Sequence, residues 1–556
     1  TDLEVIMKIK TGDVIEGEII DFTHEGNGVM KHEGVPIFVE AALIGDVVRT
    51  KIAGVKKNFA TGVVDSMVKT SPDRVEYRFD TQALGGGVPL IGYSYDKQLD
   101  WKRSKVEQDL ARIGGLSVQV NPVIGMGHPF RYRNHSQVPV GKVDGKAVTG
   151  YYRRKSSEIE PMEEDHLQPE VADQILRTLR SWVDKYEISV YDSDSREGIL
   201  RHVGIRTNEN NELMVILVTT FSQIPSKFQL VHMLVRECPG VVSVYQNINP
   251  IDSRFTYGRE YIHLFGKEKL TDYIGDLQFE ISPDSFFQIN RQQVGVLYGK
   301  AREYLEGNKD DIVYDLYSGI GTISLFISGD VKKVIGIESV KAAVDNAKEN
   351  MKLNNVNNAE FHYGKAEDLF PKMVERGMGA NKIILDPPRK GCERELINAI
   401  IELNPERIVY VSCNPSTLAR DLKLFVESGY TVEEVQPVDM FPHSAHVETV
   451  VSLSHKKADT HININVEFGD EKGQIPVDDI ARKAEDYRPS ERVTYKMIQE
   501  YIESKYDFKV HTAYIAEVKR SLGLPMYDAP NAVEELKHER KHPTPEKVEA
   551  IKDALK

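Results

Sequence analysis

The chain has 556 residues, of which 40% are hydrophobic and 28% charged, as is typical of a soluble globular protein with several domains. Its net charge of −14 argues against a protein that coats nucleic acid nonspecifically, although a local basic groove is compatible with that charge. Its three cysteines are far apart, which excludes a CxxC ligand pair and a disulfide framework.

No apolar run approaches membrane-spanning length, and the start of the sequence lacks the pattern of a signal peptide. We therefore expect a cytoplasmic protein with no membrane contact, which also suits the free cysteines.

Short strands separated by glycine are predicted for residues 1–69. The alternation in "GEIIDF" and "PIFVEA", with turns at "HEGNG" and "HEG", indicates a small β-barrel. The order of these motifs resembles a TRAM domain, an OB-like barrel that binds RNA, and the segment ends in the basic run "KIAGVKKNFA". The resemblance implies RNA binding, and the alternative is a solvated barrel with no ligand.

Residues 70–275 have a mixed pattern and are predicted to form a central α+β domain that binds RNA. Within it, the stretch "RYRN" interleaves cations, an aromatic ring and an amide at Arg131, Tyr132, Arg133 and Asn134. Such side chains bind phosphates and stack on splayed bases. The alternative is that this run is only a solvated surface.

Residues 276–455 alternate strands with helices, which predicts a doubly wound, Rossmann-like parallel sheet. A glycine turn follows the first strand in "DLYSGIGT", and Glu338 ends the next strand, where a carboxylate can hold ribose hydroxyls. Ser324 stands where a dinucleotide fingerprint needs its third glycine, so a dehydrogenase is the weaker interpretation. The wording, with "DPPR" at a later strand end, more closely resembles an S-adenosylmethionine (SAM) methyltransferase, whose cofactor has no pyrophosphate.

Several reactive side chains are predicted to share one rim of this sheet. Asp386 and Cys413 each directly follow a strand, and the carboxyl ends of parallel strands meet at one edge. If the last two strands form the antiparallel hairpin usual in SAM methyltransferases, the final strand starts at the same edge. His446 and Glu448 then lie beside Cys413.

These groups suit methylation of uracil at C5, a poor nucleophile. A cysteine thiolate that adds to C6 converts the base into an enolate, which can attack a methyl sulfonium. A base must then remove the C5 proton before the thiol is eliminated. Cys413 is the candidate nucleophile and Glu448 the candidate base.

Five motifs together resemble the RNA uracil-C5 methyltransferase family, which makes 5-methyluridine. They are "FFQIN", "DLYSGIGT", "LDPPRKG", "YVSCNPSTLARDL" and "FPHSAHVETV", and the resemblance covers residues 1–455. It implies that SAM binds to Gln288, Tyr317, Glu338 and Asp386. It also implies that Cys413 and Glu448 are catalytic. Two further candidates for RNA contact are Arg389 and His446.

One departure from the family concerns metal. Many members carry a four-cysteine iron–sulfur site, but here Arg78, Leu84 and Gly87 occupy the matching cysteine positions. Without thiolates we expect no cluster and no other metal site. Cys238 and Cys392 are interpreted as an ordinary buried thiol and a loop thiol.

Residues 456–556 are predicted to form a linker and a small helical extension outside the family resemblance. Two helical periods around a turn in 492–524 resemble a helix-turn-helix, with Lys519 and Arg520 facing outward. An accessory nucleic-acid contact is one interpretation. A solvated appendage or partner-docking module is slightly favoured over it.

The sequence thus predicts a monomeric, SAM-dependent methyltransferase that forms 5-methyluridine, with 23S ribosomal RNA as the expected partner. Transfer RNA is the first alternative substrate. A second alternative is an RNA-binding or RNA-folding protein whose methyl transfer is incidental or lost. Cytosine-C5 methyltransferases also use a cysteine, and the product base separates them from this prediction.

Overall fold

The computed structural model describes residues 9–153, 156–250, 255–455, 495–506, 508, 510, 514–515, 518 and 544–554. The chain divides into two compact units, Thr1–Thr460 and His461–Lys556. Within the described ranges, no helix is both long enough and apolar enough to cross a membrane.

The first unit begins with a sheet that closes on itself as a barrel. Its strands are β1 (Val14–Glu18), β2 (Asp21–Phe22), β3 (Gly28–His32), β4 (Val35–Glu40), β5 (Val47–Val55) and β6 (Ala60–Lys69), in the order β1-β5-β6-β4-β3-β2. Since β1 and β2 are consecutive in the chain and lie at opposite edges of that order, their pairings with β5 and β3 close the sheet. Met30, Ile37 and Val39 fill its core and are fully buried. This sheet agrees with the predicted alternation.

A long helix and a second sheet follow. The helix is α1 (Tyr95–Arg112). The strands of the sheet are β7 (His135–Val143), β8 (Lys146–Tyr152), β9 (Ile159–Pro161), β10 (Leu200–Thr207), β11 (Leu213–Thr219), β12 (Val241–Ile248) and β13 (Glu260–Gly266). Their order is β13-β12-β11-β10-β7-β8-β9. Helices α2 (Glu170–Lys185) and α3 (Lys227–Glu237) pack against this sheet around the buried Trp182.

A hairpin of β14 (Leu270–Ile274) and β15 (Leu277–Ile281) precedes the third sheet. The helices that follow are α4 (Arg291–Leu305), α5 (Thr322–Ser328), α6 (Lys341–Leu353), α7 (Ala366–Glu375), α8 (Arg394–Leu403) and α9 (Pro415–Glu427). The strands are β16 (Ile312–Leu316), β17 (Lys333–Glu338), β18 (Ala359–Tyr363), β19 (Lys382–Leu385), β20 (Arg407–Ser412), β21 (Tyr430–Val438) and β22 (Glu448–His455).

The third sheet has the order β18-β17-β16-β19-β20-β22-β21. The first five strands in that order are parallel, and β22 runs antiparallel to both β20 and β21. The predicted parallel sheet and its terminal antiparallel hairpin are therefore present. One strand, β18, was not predicted, because it is a five-residue edge strand with only Ala359 and Phe361 buried.

A buried ion pair ties α1 to the loop between β21 and β22. Lys102 Nζ lies 2.6 Å from Asp439 Oδ1, and neither side chain is exposed to solvent. The hydroxyl of Tyr95 donates to the other carboxylate oxygen of Asp439 at 2.8 Å. Gln98, one turn before Lys102, accepts a hydrogen bond from the backbone N–H of His443 in the same loop. Helix α1 thus fixes the chain that leads into β22.

In the second unit the described helices are α10 (Tyr495–Tyr506) and α11 (Pro545–Ala554). Ile498, Ile502 and Ile551 form part of its buried core, and Asp553 accepts hydrogen bonds from Tyr501, Lys505 and Tyr506. The predicted linker, which includes "ADTHININVEFGDEKGQ", lies outside the described residues. So do Lys519 and Arg520, on which the helix-turn-helix interpretation depends.

The Lys102–Asp439 pair predicts a stability defect. Lys102→Met keeps the length of the side chain but leaves a carboxylate buried without its cation, which should lower the free energy of unfolding by about 3–5 kcal/mol. Chemical denaturation followed by tryptophan fluorescence measures the change. The control is Lys97→Met on the same helix, because Lys97 is exposed and lies 3.9 Å from Asp100. Equal stability of the two variants would show that the buried pair does not hold α1 in place.

Candidate active site

A cleft of about 950 Å³ opens at the rim where β16, β17, β19 and β20 end and β22 begins. Eight residues that the sequence singles out line it: Gln288, Tyr317, Glu338, Asp386, Arg389, Cys413, His446 and Glu448. Open parallel sheets bind ligands at this edge because the loops after the strands converge there. The structure therefore brings the two groups of candidates, those for the cofactor and those for the reaction, into one cavity.

The glycine turn after β16 leaves its backbone accessible. Gly319 has φ 56° and faces open space, whereas a side chain on Gly321, at φ 83°, would meet the ring of Phe361 at 2.8 Å. Glu338 braces the turn, since its carboxylate accepts from the N–H of Gly319 at 3.1 Å and of Val340 at 2.7 Å. The carboxylate is thus fixed at the end of β17, where it can accept bonds from the hydroxyls of a ribose.

Polar atoms without partners line the same part of the cleft. Asp315 Oδ1 and Ser318 Oγ are buried and have no hydrogen-bond partner among the described residues. Ser324 donates to the other oxygen of Asp315, which explains why a serine suits this position better than a third glycine. Buried polar groups are normally paired, so these two atoms favour a bound polar ligand such as a nucleoside.

Tyr317 is held in a strained backbone conformation at φ 71°. Such conformations in a bulky residue concentrate at ligand sites. Its hydroxyl donates to Glu367 Oε1 at 2.8 Å, which directs the ring along the cleft. Glu367 was not singled out from the sequence. The carbonyl of Gln288 accepts from Asn134 Nδ2 at 2.8 Å, so the segment that carries Gln288 is fixed to the central sheet.

Strand pairing places Cys413 beside Glu448. In the antiparallel ladder Ser412 pairs with Thr449, so the next residue of each chain toward the rim is Cys413 on one side and Glu448 on the other. Cys413 is also held by the start of α9, because the side chain of Asn414 caps that helix and Pro415 is its first residue. The thiol therefore lies at the rim and opens into the cleft.

The carboxylates around Cys413 raise one another's pKa values. Burial and, second, the charge of Asp386 raise the pKa of Glu448 to about 8. Burial and the charge of Asp315 raise the pKa of Asp386 to about 7. Burial, with Glu448 and Asp386, raises the pKa of the Cys413 thiol to about 12, and Arg389 opposes that shift. Before ligands bind, the thiol therefore keeps its proton at neutral pH, and a cationic ligand is favoured among the carboxylates.

Arg389 and His446 lie at the mouth of the cleft. Arg389 Nη2 and His446 Nε2 are 3.4 Å apart. The carbonyl of Arg389 accepts from the side chains of Asn414 and Thr417, so the residue is tied to the helix that follows Cys413. Burial and the nearby Arg389 lower the pKa of His446 to about 4, so its imidazole is neutral. The two side chains thus place hydrogen-bonding groups in the lining of the cleft, and their contact with RNA stays a prediction.

The "RYRN" stretch makes contacts inside the protein that the sequence did not predict. Arg131 donates to Asp173 and to the carbonyls of Asp165 and Gln168, and Tyr132 and Asn134 are each only 5% exposed. The side chain of Asn134 donates a hydrogen bond to the carbonyl of Gln288. The backbones of Arg133 and Asn290 form an isolated antiparallel β-bridge. Tyr132 and Asn134 are too buried to stack on or bond a base, which corrects that part of the prediction, whereas contact of the half-buried Arg131 and Arg133 with RNA stays a prediction.

The region of Arg78, Leu84 and Gly87, which stand at the cysteine positions of the iron–sulfur site, is filled by packed side chains. Leu84 is 2% exposed and belongs to the core of the central sheet. Phe79, beside Arg78, stacks on His166 with ring centroids 3.7 Å apart. Within the described part of the chain, no three His, Cys, Asp or Glu side chains are grouped so as to hold a metal ion. Cys238 and Cys392 are both buried.

Comparison with known proteins agrees with this geometry. Residues 253–456 match the model of the tRNA (uracil-5-)-methyltransferase family. An uncharacterized RNA methyltransferase of Clostridium tetani is 43% identical over 432 residues, covering 78% of this chain and 94% of its own. Another, from Enterococcus faecalis, is 43% identical over 448 residues, covering 80% and 98%.

One solved structure is similar over most of the chain. It is the crystal structure of Pyrococcus abyssi tRNA (uracil-54, C5)-methyltransferase in complex with S-adenosyl-L-homocysteine. The TM-score is 0.64 at 30% identity, and the match covers 79% of this chain and 100% of that one. Together with the identity to the bacterial relatives and the cleft at the sheet rim, this match shows that the chain belongs to the RNA uracil-C5 methyltransferase family and is a SAM-dependent RNA methyltransferase.

Proposed function

We propose that the protein forms 5-methyluridine in RNA, with Cys413 as nucleophile and Glu448 as base. The observation that carries the proposal is the pairing of β20 with β22, which sets the thiol and the carboxyl side by side at the rim. A structural role alone gives no reason for a thiol and three buried carboxyl groups to line one open cavity.

The cofactor part of the cleft fits SAM. Gln288, Tyr317, Glu338 and Asp386 line it and would hold the cofactor, and the carboxylate of Glu338 at the end of β17 would accept hydrogen bonds from the ribose hydroxyls. The buried oxygen of Asp315 that lacks a partner suits the cofactor's ammonium or a water bound to it. When bound, SAM would supply a methyl group on a cationic sulfur, and the ionised forms of Asp386 and Glu448 would stabilise that charge.

The reaction follows from the positions of the two catalytic groups. The Cys413 thiol releases its proton to solvent as Sγ bonds to C6 of uracil, and Arg389, which lowers the pKa of this thiol, helps that ionisation. The electron pair passes to C5, and C5 gains the methyl group. Glu448 has a pKa of about 8, so it must first release its own proton to solvent, and as a carboxylate it then takes the proton from C5. The C6–S bond breaks, the C5–C6 double bond forms again, and Cys413 leaves as a thiolate.

For the RNA target we propose 23S ribosomal RNA. The proposal rests on the resemblance of the barrel, central domain and catalytic domain to family members that act on ribosomal RNA, which is an argument by analogy. Transfer RNA is the second candidate, supported by the similarity to the Pyrococcus abyssi enzyme, whose substrate is tRNA. Unmodified transcripts of each RNA, offered separately with labelled SAM, distinguish the two.

Cys413→Ala should abolish methyl transfer, because Cys413 is the one thiol among the described residues that line the cleft. SAM affinity should stay within about twofold of wild type, since the thiol acts on the base rather than on the cofactor. The measurement is transfer of labelled methyl from SAM to unmodified RNA, followed by nucleoside analysis. Cys238→Ala is the matched control, because Cys238 is buried in the central domain. Methylation by Cys413→Ala at the wild-type rate would show that Cys413 is not the nucleophile.

Glu448→Gln should allow addition and methyl transfer but stall before proton removal from C5. A covalent protein–RNA adduct should accumulate and appear as a slower band on a denaturing gel. The adduct should be absent when Cys413→Ala is combined with it. Glu427→Gln, at an exposed position at the end of α9, is the control. Wild-type turnover by Glu448→Gln would assign the base to another group.

A further inference from the structure

A second groove, of about 610 Å³, lies between the outer face of the barrel and α1. Phe38, Phe59 and Thr61 line it from the barrel, and Gln108 and Arg112 line it from α1. The sequence resemblance implies RNA binding by the barrel as a whole, but no residue of this groove has been given a role above.

Two aromatic rings form the barrel side of the groove. Along β4, Ile37 and Val39 point into the barrel core, so Phe38 between them points outward. Phe38 stacks with Phe59, with ring centroids 4.9 Å apart and planes at 27°. Both rings are half-buried, and Thr61 pairs with Phe38 across the sheet. A stacked aromatic pair on the face of a small barrel offers a surface on which a nucleobase stacks whatever its identity.

The charges around the rings favour a base in the middle of the groove and phosphates at its ends. Arg112 is exposed and has no ion-pair partner among the described residues. Lys56 and Lys57 are exposed in the turn that precedes Phe59. Asp21, Glu25 and Glu40 also line the groove, so acidic side chains outnumber basic ones there and phosphate is not favoured in that part. Lys105 adds little net charge, because it pairs with Asp109.

The groove lies near the catalytic cleft, because burial lowers the pKa of His446, which lines the cleft, and His24, which lines the groove, is close enough to lower it further. Ser416 lines the groove and Cys413 lines the cleft, and the two residues are separated only by the first turn of α9. Ser416 Oγ donates to Asp109 at 2.7 Å, which joins this turn to α1. A strand whose uridine enters the cleft therefore has its neighbouring nucleotides at the groove.

We propose that this groove binds a nucleotide next to the target uridine, with its base stacked on Phe38 and Phe59. The inference rests on the proposed function, since it assigns the groove to the same RNA. The base is held by stacking and the backbone by Arg112 and the two lysines. The groove therefore sets the position of the target uridine without contacting it.

The test compares Phe38→Ala and Phe59→Ala with Phe228→Ala, an equally large change at a ring that is 66% exposed on the central domain. With unmodified 23S transcript, or tRNA transcript if that is the accepted RNA, each groove variant should lose at least about 5-fold in kcat/KM for RNA. The loss should lie mainly in KM, with SAM affinity unchanged, and Phe59→Trp should retain wild-type values. Phe228→Ala should match wild type.

Arg112→Gln keeps the test decisive if an aromatic variant folds poorly, because Arg112 lies on the surface. It should raise KM for RNA. It should also lower the number of counterions released on RNA binding, read from the slope of log affinity against log salt concentration, by about one. Wild-type RNA kinetics for Arg112→Gln and for the folded aromatic variants would overturn the proposal.

Binding to a short oligouridylate separates this proposal from the proposed function. If wild-type protein methylates neither RNA, the proposed function fails, and the groove is still tested by this binding. The groove variants should bind the oligouridylate at least about 5-fold more weakly than wild type. If the groove variants bind the oligouridylate as tightly as wild type does, the groove does not bind a nucleotide, even if the enzyme is active.

Discussion

The antiparallel pairing of β22 with β20 is the constraint on which the active site depends. A parallel final strand would start at the far edge of the sheet, and Glu448 would lie a full strand length from Cys413. The reversal places the first residue of β22 at the rim where β20 ends. Strand register then fixes the separation of the two groups, and it does so through backbone hydrogen bonds that tolerate little slippage in a buried sheet.

The loop before β22 has to be rigid for this register to be useful. It is held from outside the catalytic sheet, by α1, through the buried pair of Lys102 and Asp439. The "RYRN" stretch holds the other side of the cleft by bonding the segment that carries Gln288. The parts of the chain that precede the catalytic domain therefore also position its cofactor and substrate surfaces. This dependence explains why the two sheets and the barrel form a single compact unit.

Electrostatics gives the cleft its preference for a cationic methyl donor. Burial, with the charge of a neighbouring carboxylate, raises the pKa values of Asp315, Asp386 and Glu448 to about 6, 7 and 8, so that only Glu448 is largely protonated at neutral pH. Each can ionise once a positive charge enters. The thiol depends on the same change, because its pKa is raised by two of these carboxylates. Loading of the cofactor and ionisation of the catalytic groups are thus coupled.

Much of the catalytic sheet was predictable from local patterns. Glu338, Asp386 and Cys413 lie where strands end, and these ends can be recognised in the sequence. Because the strands are parallel, their carboxyl ends lie at one edge of the sheet, which brings the three residues together. The edge strand β18 was missed because its five residues bury too little to show a pattern. The burial of Tyr132 and Asn134 in the "RYRN" stretch was missed because charge in a sequence does not reveal burial, and Arg131 finds its partner 42 residues away. The Lys102–Asp439 pair joins residues 337 apart, which no local pattern encodes.

Release of tritium from RNA that carries 5-tritiated uridine tests the central claim most directly. Formation of 5-methyluridine through addition at C6 requires loss of the C5 hydrogen, so tritium should pass into water in a one-to-one ratio with methyl groups transferred from SAM. Methyl transfer without tritium release would place the methyl group on another atom and contradict the roles given to Cys413 and Glu448.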